Sequence, residues 1–508
     1  MIPSIFSAAR GFLSGTGALI LPELELLLFA GGILLIDRWL AHEEKHWNAL
    51  LALAGTAFSA FTLYVQHGKI AALRDANPDV PGLLGIHESV LVDPFFLYFA
   101  ALFLAATALI VLFSIDFSGR RGGPSGSDHA LLLLGSAGMM LMVSGVDEIV
   151  VFLGIQWMAV SCFVLGRRGS RGDVAARNYA ALWGCSSVAL ALGFLLLYGQ
   201  FQTTSLGRIG AVLDVRVENG VAFGGLTTWH GWLALGLVAT GIFLLLEAAP
   251  FQWFSPGVYE FAPTVAATYF GVAAKTAACA LLLRLFSFLF LFAHQKWIYV
   301  WEGAAIASLA WGSAAAMRQK NLKRLLAYGS VAHTGFILLG LVAGNESGLH
   351  GMMFYAGFYV FSLAGFFGML IVMERQGAAP SHLADLHGLW GRNRIAALMV
   401  VVFVMSLAGV PPAAGFVAKF YIIRGLLQGA HPYLAALATV AIAAAIYYYG
   451  RIAACVFKKP AQEAAATQAA LTIGYAESMA LTVAVFVSLA AGLYPEPFLQ
   501  ITRYAFGQ

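Results

Sequence analysis

Long apolar runs alternate with short polar stretches along nearly the whole chain of 508 residues. About fourteen of these runs are long enough to cross the hydrocarbon core of a bilayer as a helix. They cover residues 17–37, 48–66, 95–115, 129–145, 147–166, 178–200, 231–249, 263–293, 299–316, 322–343, 349–373, 395–428 (interrupted), 432–454 and 475–497. The intervening stretches leave no room for a soluble domain of ordinary size, so the pattern predicts an all-α, multi-pass membrane protein.

Composition supports this class, because 60% of the residues are hydrophobic and only 11% are charged. Lys and Arg are concentrated in alternate loops, at 37–46, 118–128, 166–178, 318–324, 374–394 and 451–460. The positive-inside rule assigns these loops to the cytoplasm, and an even number of spans then places both termini on the opposite, outer side of the membrane. The net charge of +4 follows from this distribution and does not indicate a nucleic-acid partner.

Two of the spans carry helix-breaking residues. The breaks are marked by Pro250, Pro256 and Pro263 in the first case, and by Gly409, Pro411, Pro412 and Gly415 in the second. Proline removes a helix hydrogen bond, and broken helices in two halves of a chain are typical of inverted-repeat transporters. The alternative is that these prolines only kink a membrane helix or end it in a loop.

Charged residues inside the spans point to function. Lys275 and Lys419 lie far from the ends of their helices, where a charge costs on the order of 3 kcal/mol or more. A lysine removed from water in this way can exchange a proton near neutral pH. His333 lies between them in sequence and is either a proton relay or a hydrogen-bonding link between helices. Glu247, just before the first break, either pairs with a basic group or reaches the membrane interface.

Several longer motifs carry a family resemblance. They are "PELELLLFAGGILLID", "GMMLMVSGVDEIVVFLGIQWMAV", "PFQWFSPGVYEFAPTVAATYFGVAAK", "RQKNLKRLLAYGSVAHTGFILLGL" and "LAGVPPAAGFVAKF". In this order they resemble the NuoN-type, antiporter-like membrane subunit of bacterial respiratory complex I. The resemblance implies fourteen helices with two inverted five-helix repeats, each containing a broken helix. It divides the chain at residues 1–128, 129–293 (first repeat), 294–454 (second repeat) and 455–508.

The resemblance also implies an activity, namely proton translocation driven at a distance by NADH oxidation and quinone reduction. Lys275 matches the family's central lysine after the first break, Lys419 matches the lysine of the second broken helix, and His333 matches a family histidine. No cofactor is expected in this chain; NADH, FMN, iron–sulfur clusters and quinone are expected in partner subunits of the membrane-embedded complex. Lipids and protons are the other expected partners.

Four positions depart from the family pattern. Gln156 replaces a glutamate, Leu245 a lysine that pairs with it, Gln252 the histidine of "PFH", and Gly257 an aspartate. Glu247 has the wrong sign to replace the lysine and lies roughly 200° around the helix from position 245. Loss of both partners avoids the penalty of about 3–5 kcal/mol for one stranded charge. The proton path of the first repeat is therefore expected to be altered or silent, unless a charged group from a neighbouring helix or subunit takes over.

Two other functions remain open from sequence. The chain could belong to a multisubunit cation/proton antiporter or to a membrane-bound hydrogenase-type complex, which share the most specific motifs. "HEEKH" at 42–46 also fits H-E-x-x-H, a zinc hydrolase motif, although a solvated charged linker explains it as well. The four cysteines lie far apart within apolar runs and are expected to be small core residues, without disulfides and without a metal site.

Overall fold

The computed structural model describes residues 16–41, 44–77, 80–117, 124–168, 172–213, 216–218, 221–223, 229–290, 294–377, 380–459 and 470–505. Helices dominate these ranges. They are α1 (Leu21–Ile36), α2 (His46–Ala76), α3 (Pro94–Ser114), α4 (Gly126–Ser144), α5 (Glu148–Gly166), α6 (Gly172–Phe201), α7 (Leu206–Leu213), α8 (Trp229–Leu245), α9 (Ser255–Phe261), α10 (Thr264–Phe290), α11 (His294–Arg318), α12 (Leu322–Val342), α13 (Glu346–Arg375), α14 (Leu389–Arg392), α15 (Arg394–Ala408), α16 (Ala414–Gln428), α17 (Pro432–Phe457), α18 (Tyr475–Leu493) and α19 (Glu496–Ala505).

The small amount of sheet lies in two antiparallel hairpins. The strands are β1 (Leu83–Gly85), β2 (Val90–Val92), β3 (Arg216–Glu218) and β4 (Val221–Phe223). Short 3₁₀ helices cover Thr16–Leu19 and Leu383–Leu386. Both hairpins lie in connections between long helices, so they do not interrupt the helical body of the protein.

The predicted all-α membrane architecture is confirmed. Each apolar run found in the sequence coincides with a helix, and the run at 395–428 is split into α15 and α16. Among the described residues, ten helices are both long and apolar enough to cross a membrane, and α8 and α15 are shorter apolar helices. The run predicted at 475–497 was placed too long: α18 ends at Leu493, and α19 follows as a separate amphipathic helix that hydropathy alone did not reveal.

Three helices form the buried centre of the protein. In α10, α12 and α13, about nine-tenths of the most apolar window is buried, at 89%, 94% and 89%. By contrast, only 39% of the corresponding window is buried in α2, α6 and α17, which face outward. A helix surrounded by protein on all sides can carry polar groups that lipid would not tolerate, because neighbouring helices supply their hydrogen bonds.

Both predicted helix breaks are present. Pro250 lies in the irregular segment between α8 and α9, Pro256 is in the first turn of α9, and Pro263 immediately precedes α10. The released backbone groups find protein partners: Ala249 N donates to Ser308 Oγ at 2.9 Å, and Thr334 Oγ1 donates to Leu246 O at 2.8 Å. Non-helical backbone is tolerated at membrane depth when protein satisfies it in this way.

The second break lies between α15 and α16. Gly409 ends α15 in the left-handed region with φ +85°, which favours glycine, and Pro411 and Pro412 follow in the turn. The first turn of α16 then passes so close to α15 that a Cβ at Gly415 would be 1.8 Å from Ser406 O. The glycines therefore permit both the reversal and the close approach of the two half-helices.

Close helix packing also depends on glycine at the α4–α5 contact. A Cβ at Gly154 would be 2.4 Å from Met142 N, and one at Gly138 would be 2.6 Å from Met158 N. Small residues allow membrane helices to approach so that van der Waals packing holds them together.

We expect Gly154→Ala to destabilise the protein by about 1–3 kcal/mol, because the added methyl group meets rigid backbone. Gly184→Ala is the matched control, since Gly184 lies in α6 with nothing within 4 Å of its would-be Cβ. Thermal stability of the purified assembly measures both. Equal stability of the two variants would contradict the packing argument.

Candidate functional site: a buried polar axis

Lys275 lies in α10 directly after a π-helical turn at Phe270–Ala274 and is almost fully buried. Its Nζ donates to Glu247 Oε2 at 3.0 Å, to Ser330 Oγ at 2.5 Å and to Ser330 O at 3.1 Å. The side chains of Lys275 and Glu247 are 3% and 10% exposed. Glu247 thus forms a buried ion pair with a basic group and does not reach the membrane interface, which was the other placement considered from sequence.

The backbone at Glu247 is unusual. Its φ is +55°, a left-handed conformation that residues other than glycine adopt rarely. Such conformations cost of the order of 1–3 kcal/mol and persist only where the surroundings enforce them. The strained residue in the segment after α8 is thus the one whose carboxylate pairs with Lys275.

Ser330 on α12 extends the polar contacts beyond the ion pair. Tyr359 Oη donates to Ser330 Oγ at 3.2 Å, and Tyr259 Oη lies 3.3 Å from the same atom. These side chains are buried, so hydrogen bonds within the protein replace the water they would otherwise contact. One serine therefore links α10, α12, α13 and α9.

His333 follows one turn later on α12. Its Nε2 is 3.0 Å from Tyr449 Oη, its Nδ1 is hydrogen-bonded to Tyr355 Oη, and its ring lies 5.2 Å from that of Tyr359. The histidine therefore links α12 to α13 and α17. These contacts fit a hydrogen-bonding link between helices. Each ring nitrogen is also hydrogen-bonded to a tyrosine hydroxyl, a group that can both donate and accept a proton.

Lys419 lies in α16, just after the second break, and is 1% exposed. Its Nζ donates to Leu407 O at 2.9 Å and to Ala408 O at 2.8 Å, and lies 4.9 Å from the ring of Phe336. The last carbonyls of α15 form the negative end of that helix dipole, which favours a cation. Within the described part of the chain, no carboxylate lies within ion-pair distance of Lys419.

The two lysines are connected by one face of α12. Ser330, His333 and Phe336 recur at intervals of three residues and contact Lys275, the tyrosines and Lys419 in turn. Residues at this spacing lie on the same side of a helix. The structure thus brings together Lys275, Lys419, His333 and Glu247, the four residues selected from sequence.

Two of the positions that the resemblance predicts to be departures, Gln156 and Leu245, lie close to this axis. Gln156 Oε1 accepts from Trp183 Nε1 at 2.9 Å, and Gln156 Nε2 donates to Ser187 Oγ at 3.0 Å. Trp183 and Leu245 line one cavity of about 20 Å³ together with Glu247 and Lys275. This volume fits about one water molecule. Gln156 therefore contacts a tryptophan that, together with Leu245, lines the cavity beside the ion pair.

The other two departures have different surroundings. A Cβ at Gly257 would be 2.1 Å from Asn178 Nδ2, so an aspartate would collide with Asn178 in its present position. Gln252 is buried, and its Oε1 has no hydrogen-bond partner in the described part of the chain. The space at Gly257 is thus limited by a side chain on another helix, α6, a relation that a linear motif does not show.

Sequence reasoning missed Ser330 and the four tyrosines Tyr259, Tyr355, Tyr359 and Tyr449. Their only signal was the occurrence of hydroxyl groups in otherwise apolar helices, which is common in membrane proteins. Their role depends on which helices meet, and that information resides in the tertiary structure.

The remaining motifs add little to the site. His42 and Glu43 of "HEEKH" lie outside the described residues, and no cluster of three or more His, Cys, Asp or Glu that could hold a metal occurs in the ranges that are described. The cysteines are free; Cys162, Cys279 and Cys455 are buried, whereas Cys185 is exposed. The expectation of four core cysteines was wrong for Cys185, because it lies on the outward face of α6.

A fold of buried lysines and broken helices defines an antiporter-like membrane protein. Residues 146–445 match the family model "NADH:quinone oxidoreductase/Mrp antiporter, TM". The chain belongs to the NADH-quinone oxidoreductase subunit N family. It is 35% identical over 498 residues to "NADH-quinone oxidoreductase subunit N 1" of Koribacter versatilis, covering 96% of this chain and 94% of that relative.

Solved structures agree with this assignment. Respiratory complex I from Thermus thermophilus with bound aureothin contains a chain that is 26% identical, with a TM-score of 0.73 and coverage of 94% of this chain and 98% of that one. The Mrp complex from Dietzia sp. contains a chain of the same fold, with 20% identity, a TM-score of 0.76 and coverage of 95% and 96%.

The Glu247–Lys275 pair can be tested with a double-mutant cycle. Lys275→Met and Glu247→Gln each leave a buried partner unpaired, so each should cost about 3–5 kcal/mol, and the double variant should cost less than their sum. The exposed pair Arg208–Glu88 is the control, and its coupling should not exceed about 1 kcal/mol. Thermal stability of the assembled complex is the measurement; additivity at the buried pair would show that the two groups do not interact.

A second cycle addresses Gln156 and Leu245. We expect Gln156→Glu alone and Leu245→Lys alone to lower complex yield, because the glutamate would lack the lysine partner that the resemblance implies, and the lysine would have to compete with Lys275 for Glu247. If the two positions can meet past Trp183, the double variant should recover about 1–3 kcal/mol. Yield and thermal stability of all four combinations provide the measurement, and strictly additive effects would mean that the positions do not communicate.

Proposed function

We propose that this chain acts as a non-redox, proton-translocating subunit in the membrane arm of a complex I-like NADH:quinone oxidoreductase. The observation that carries the proposal is the buried polar axis from Glu247 through Lys275, Ser330 and His333 to Lys419. Buried ionisable groups in a membrane are expensive and are commonly retained for ion transfer. The relatives are named as subunits of NADH-quinone oxidoreductase, and this name suggests the assembly in which redox energy would drive the proton transfer.

The axis offers a physical route for coupling. Two lysines in a low-dielectric interior interact over a longer distance than they would in water, so a proton gained by one raises the energy of a proton on the other. Ser330 and the tyrosines between them can each donate and accept a hydrogen bond. A proton transferred at one end would therefore change the occupancy favoured at the other.

The first repeat is proposed to work without the family's glutamate–lysine pair. The amide of Gln156 does not gain or lose a proton near neutral pH, so it cannot perform the charge switch that the resemblance implies for a glutamate. The ion pair of Glu247 with Lys275 is a charged element of this repeat, and Trp183, which contacts Gln156, lines the same cavity as the pair. Proton loading in this repeat would then depend on breaking that pair, or on a charged group from an adjoining subunit.

Redox chemistry is assigned to the partner subunits. NADH, FMN, iron–sulfur clusters and quinone would bind there, and this chain would respond to their turnover through the membrane arm. Placement of both termini on the periplasmic side belongs to the same proposal and rests on the distribution of Lys and Arg in the loops.

A role in a cation/proton antiporter is the second candidate, since the Mrp complex contains a chain of the same fold. Mass spectrometry of the mildly solubilised native complex distinguishes the two. NADH- and quinone-reactive subunits co-purify only if the first proposal is correct.

Lys419→Met tests the proton role directly. Methionine keeps the length of the side chain and deletes its charge, so NADH:quinone turnover coupled to proton pumping should fall about tenfold or more, a change of about 1.4 kcal/mol in the barrier, while assembly is largely preserved. Lys320→Met, at an exposed lysine, should leave both unchanged. Turnover and pumping are measured in sealed vesicles and assembly on native gels.

If Lys419→Met assembles and pumps like the Lys320→Met control, Lys419 has a structural role only. A loss of assembly equal to the loss of pumping would also count against proton transfer at this lysine.

A further inference from the structure

A second feature, separate from the polar axis, is a long groove between α2 and α3. Its volume is about 940 Å³, and its lining is almost entirely apolar, including Leu53, Ala57, Leu97, Ala101 and Ala108. The residues run antiparallel, from Leu53 opposite Ala108 at one end to His67 opposite Pro94 at the other. Several of them are alanines, and their small side chains leave the space between the two helices that forms the groove.

Thr56, Tyr64 and Tyr98 contribute polar groups along the groove, and a further polar cluster lies at one end. His67, Gln500 and Tyr504 line that end, and the rings of His67 and Tyr504 lie 5.3 Å apart. Arg74, two turns further along α2, places its guanidinium carbon 5.7 Å from the centroid of the Tyr504 ring. The Arg74 Nε is buried and has no acceptor among the described residues.

The amphipathic helix α19 closes the same end. Pro497, Gln500, Ile501 and Tyr504 of α19 contribute to the lining, while Leu499 and Thr502 face the protein. A short amphipathic helix after the last span is typical of a segment lying in the membrane interface. The apolar part of the groove therefore begins at interface level and extends into the hydrocarbon region.

Dimensions restrict what can occupy the groove. Leu53 and His67 are fourteen residues apart on α2, which corresponds to roughly 21 Å of helix. The groove is therefore long enough to cover the ~15 Å hydrocarbon depth of one leaflet. A helix about 10 Å in diameter has a volume of roughly 1,600 Å³ over that length, so it could enter the groove only in part. A spanning helix would also have to pass α19, whereas a lipid ends at this level with its headgroup.

We propose that the α2–α3 groove binds a phospholipid with an anionic headgroup. Its acyl chains would follow the alanine-rich walls, and its phosphate would accept hydrogen bonds from Arg74, including the unsatisfied Nε, and from Gln500 or Tyr504. A cation at interface level attracts anionic headgroups, and the guanidinium plane suits a phosphate.

Photo-crosslinking in the purified complex identifies the occupant. Benzoylphenylalanine is introduced at Ala101 in the full chain, the assembled complex is purified in mild detergent to remove bulk lipid, and the crosslinked product is identified by mass spectrometry. The proposal requires a phospholipid adduct at Ala101. The control position is Ala443, an exposed alanine on α17 outside the groove, where only detergent should attach.

A polypeptide adduct at Ala101 would show that a partner helix fills the groove, and detergent alone at Ala101 would show that no lipid is retained. Either result overturns the proposal.

The headgroup contact is tested separately with Arg74→Gln, whose guanidinium lies against the groove-lining Tyr504, and, as the control on the same helix, with Lys69→Gln at an exposed lysine. The delipidated complex carrying the crosslinker at Ala101 is incubated with vesicles of phosphatidylglycerol or phosphatidylcholine. We expect Arg74→Gln to lower the preference for phosphatidylglycerol about fivefold, and Lys69→Gln to leave it unchanged. An unchanged preference in Arg74→Gln would remove Arg74, and with it the anionic specificity, from the site.

Discussion

The cost of holding charge inside a membrane governs this structure. An ammonium group at the centre of a bilayer has no water to solvate it, so its hydrogen bonds must come from protein. Lys275 obtains a carboxylate and two oxygens of one serine, and Lys419 obtains the end of a half-helix. Both solutions require that the surrounding helices be broken or buried, which explains why the breaks and the fully enclosed helices α10, α12 and α13 occur next to the lysines.

The two breaks solve the same problem in different ways. At the second break, α15 ends so that its free carbonyls point at Lys419, and Gly409 leaves no Cβ to obstruct the lysine stem, which a Cβ would approach to 2.7 Å. At the first break, the irregular segment instead presents a carboxylate, at Glu247, to Lys275. One lysine is therefore held by partial charges and the other by a full charge, so displacing the proton on each has a different electrostatic consequence.

Local rules account for what could be read from sequence. Span positions, breaks and the two lysines follow from hydropathy, from the missing N–H of proline and from the rarity of charge in apolar runs. The hydrogen-bond partners of the buried residues could not be predicted from sequence. His333 and its partner Tyr449 are 116 residues apart, and Glu247 pairs with Lys275 from a left-handed residue that helical geometry does not describe. The helical-wheel angle between positions 245 and 247 assumed a helix that has already ended at Leu245.

The charge balance near Gln156 follows from these contacts. Under the family pattern, a glutamate at 156, a lysine at 245 and Lys275 would sum to one positive charge; here Gln156 and Leu245 are neutral, and Glu247 with Lys275 sums to zero. Leu245, Glu247 and Lys275 line the same small cavity, so a lysine at 245 would compete with Lys275 for Glu247. A neutral residue at 245 and a glutamate at 247 are therefore mutually consistent. Lys419 is the buried lysine of the axis that no described carboxylate neutralises, so its protonated form adds a full net positive charge beside Phe336 of α12, whereas protonated Lys275 forms a neutral pair with Glu247.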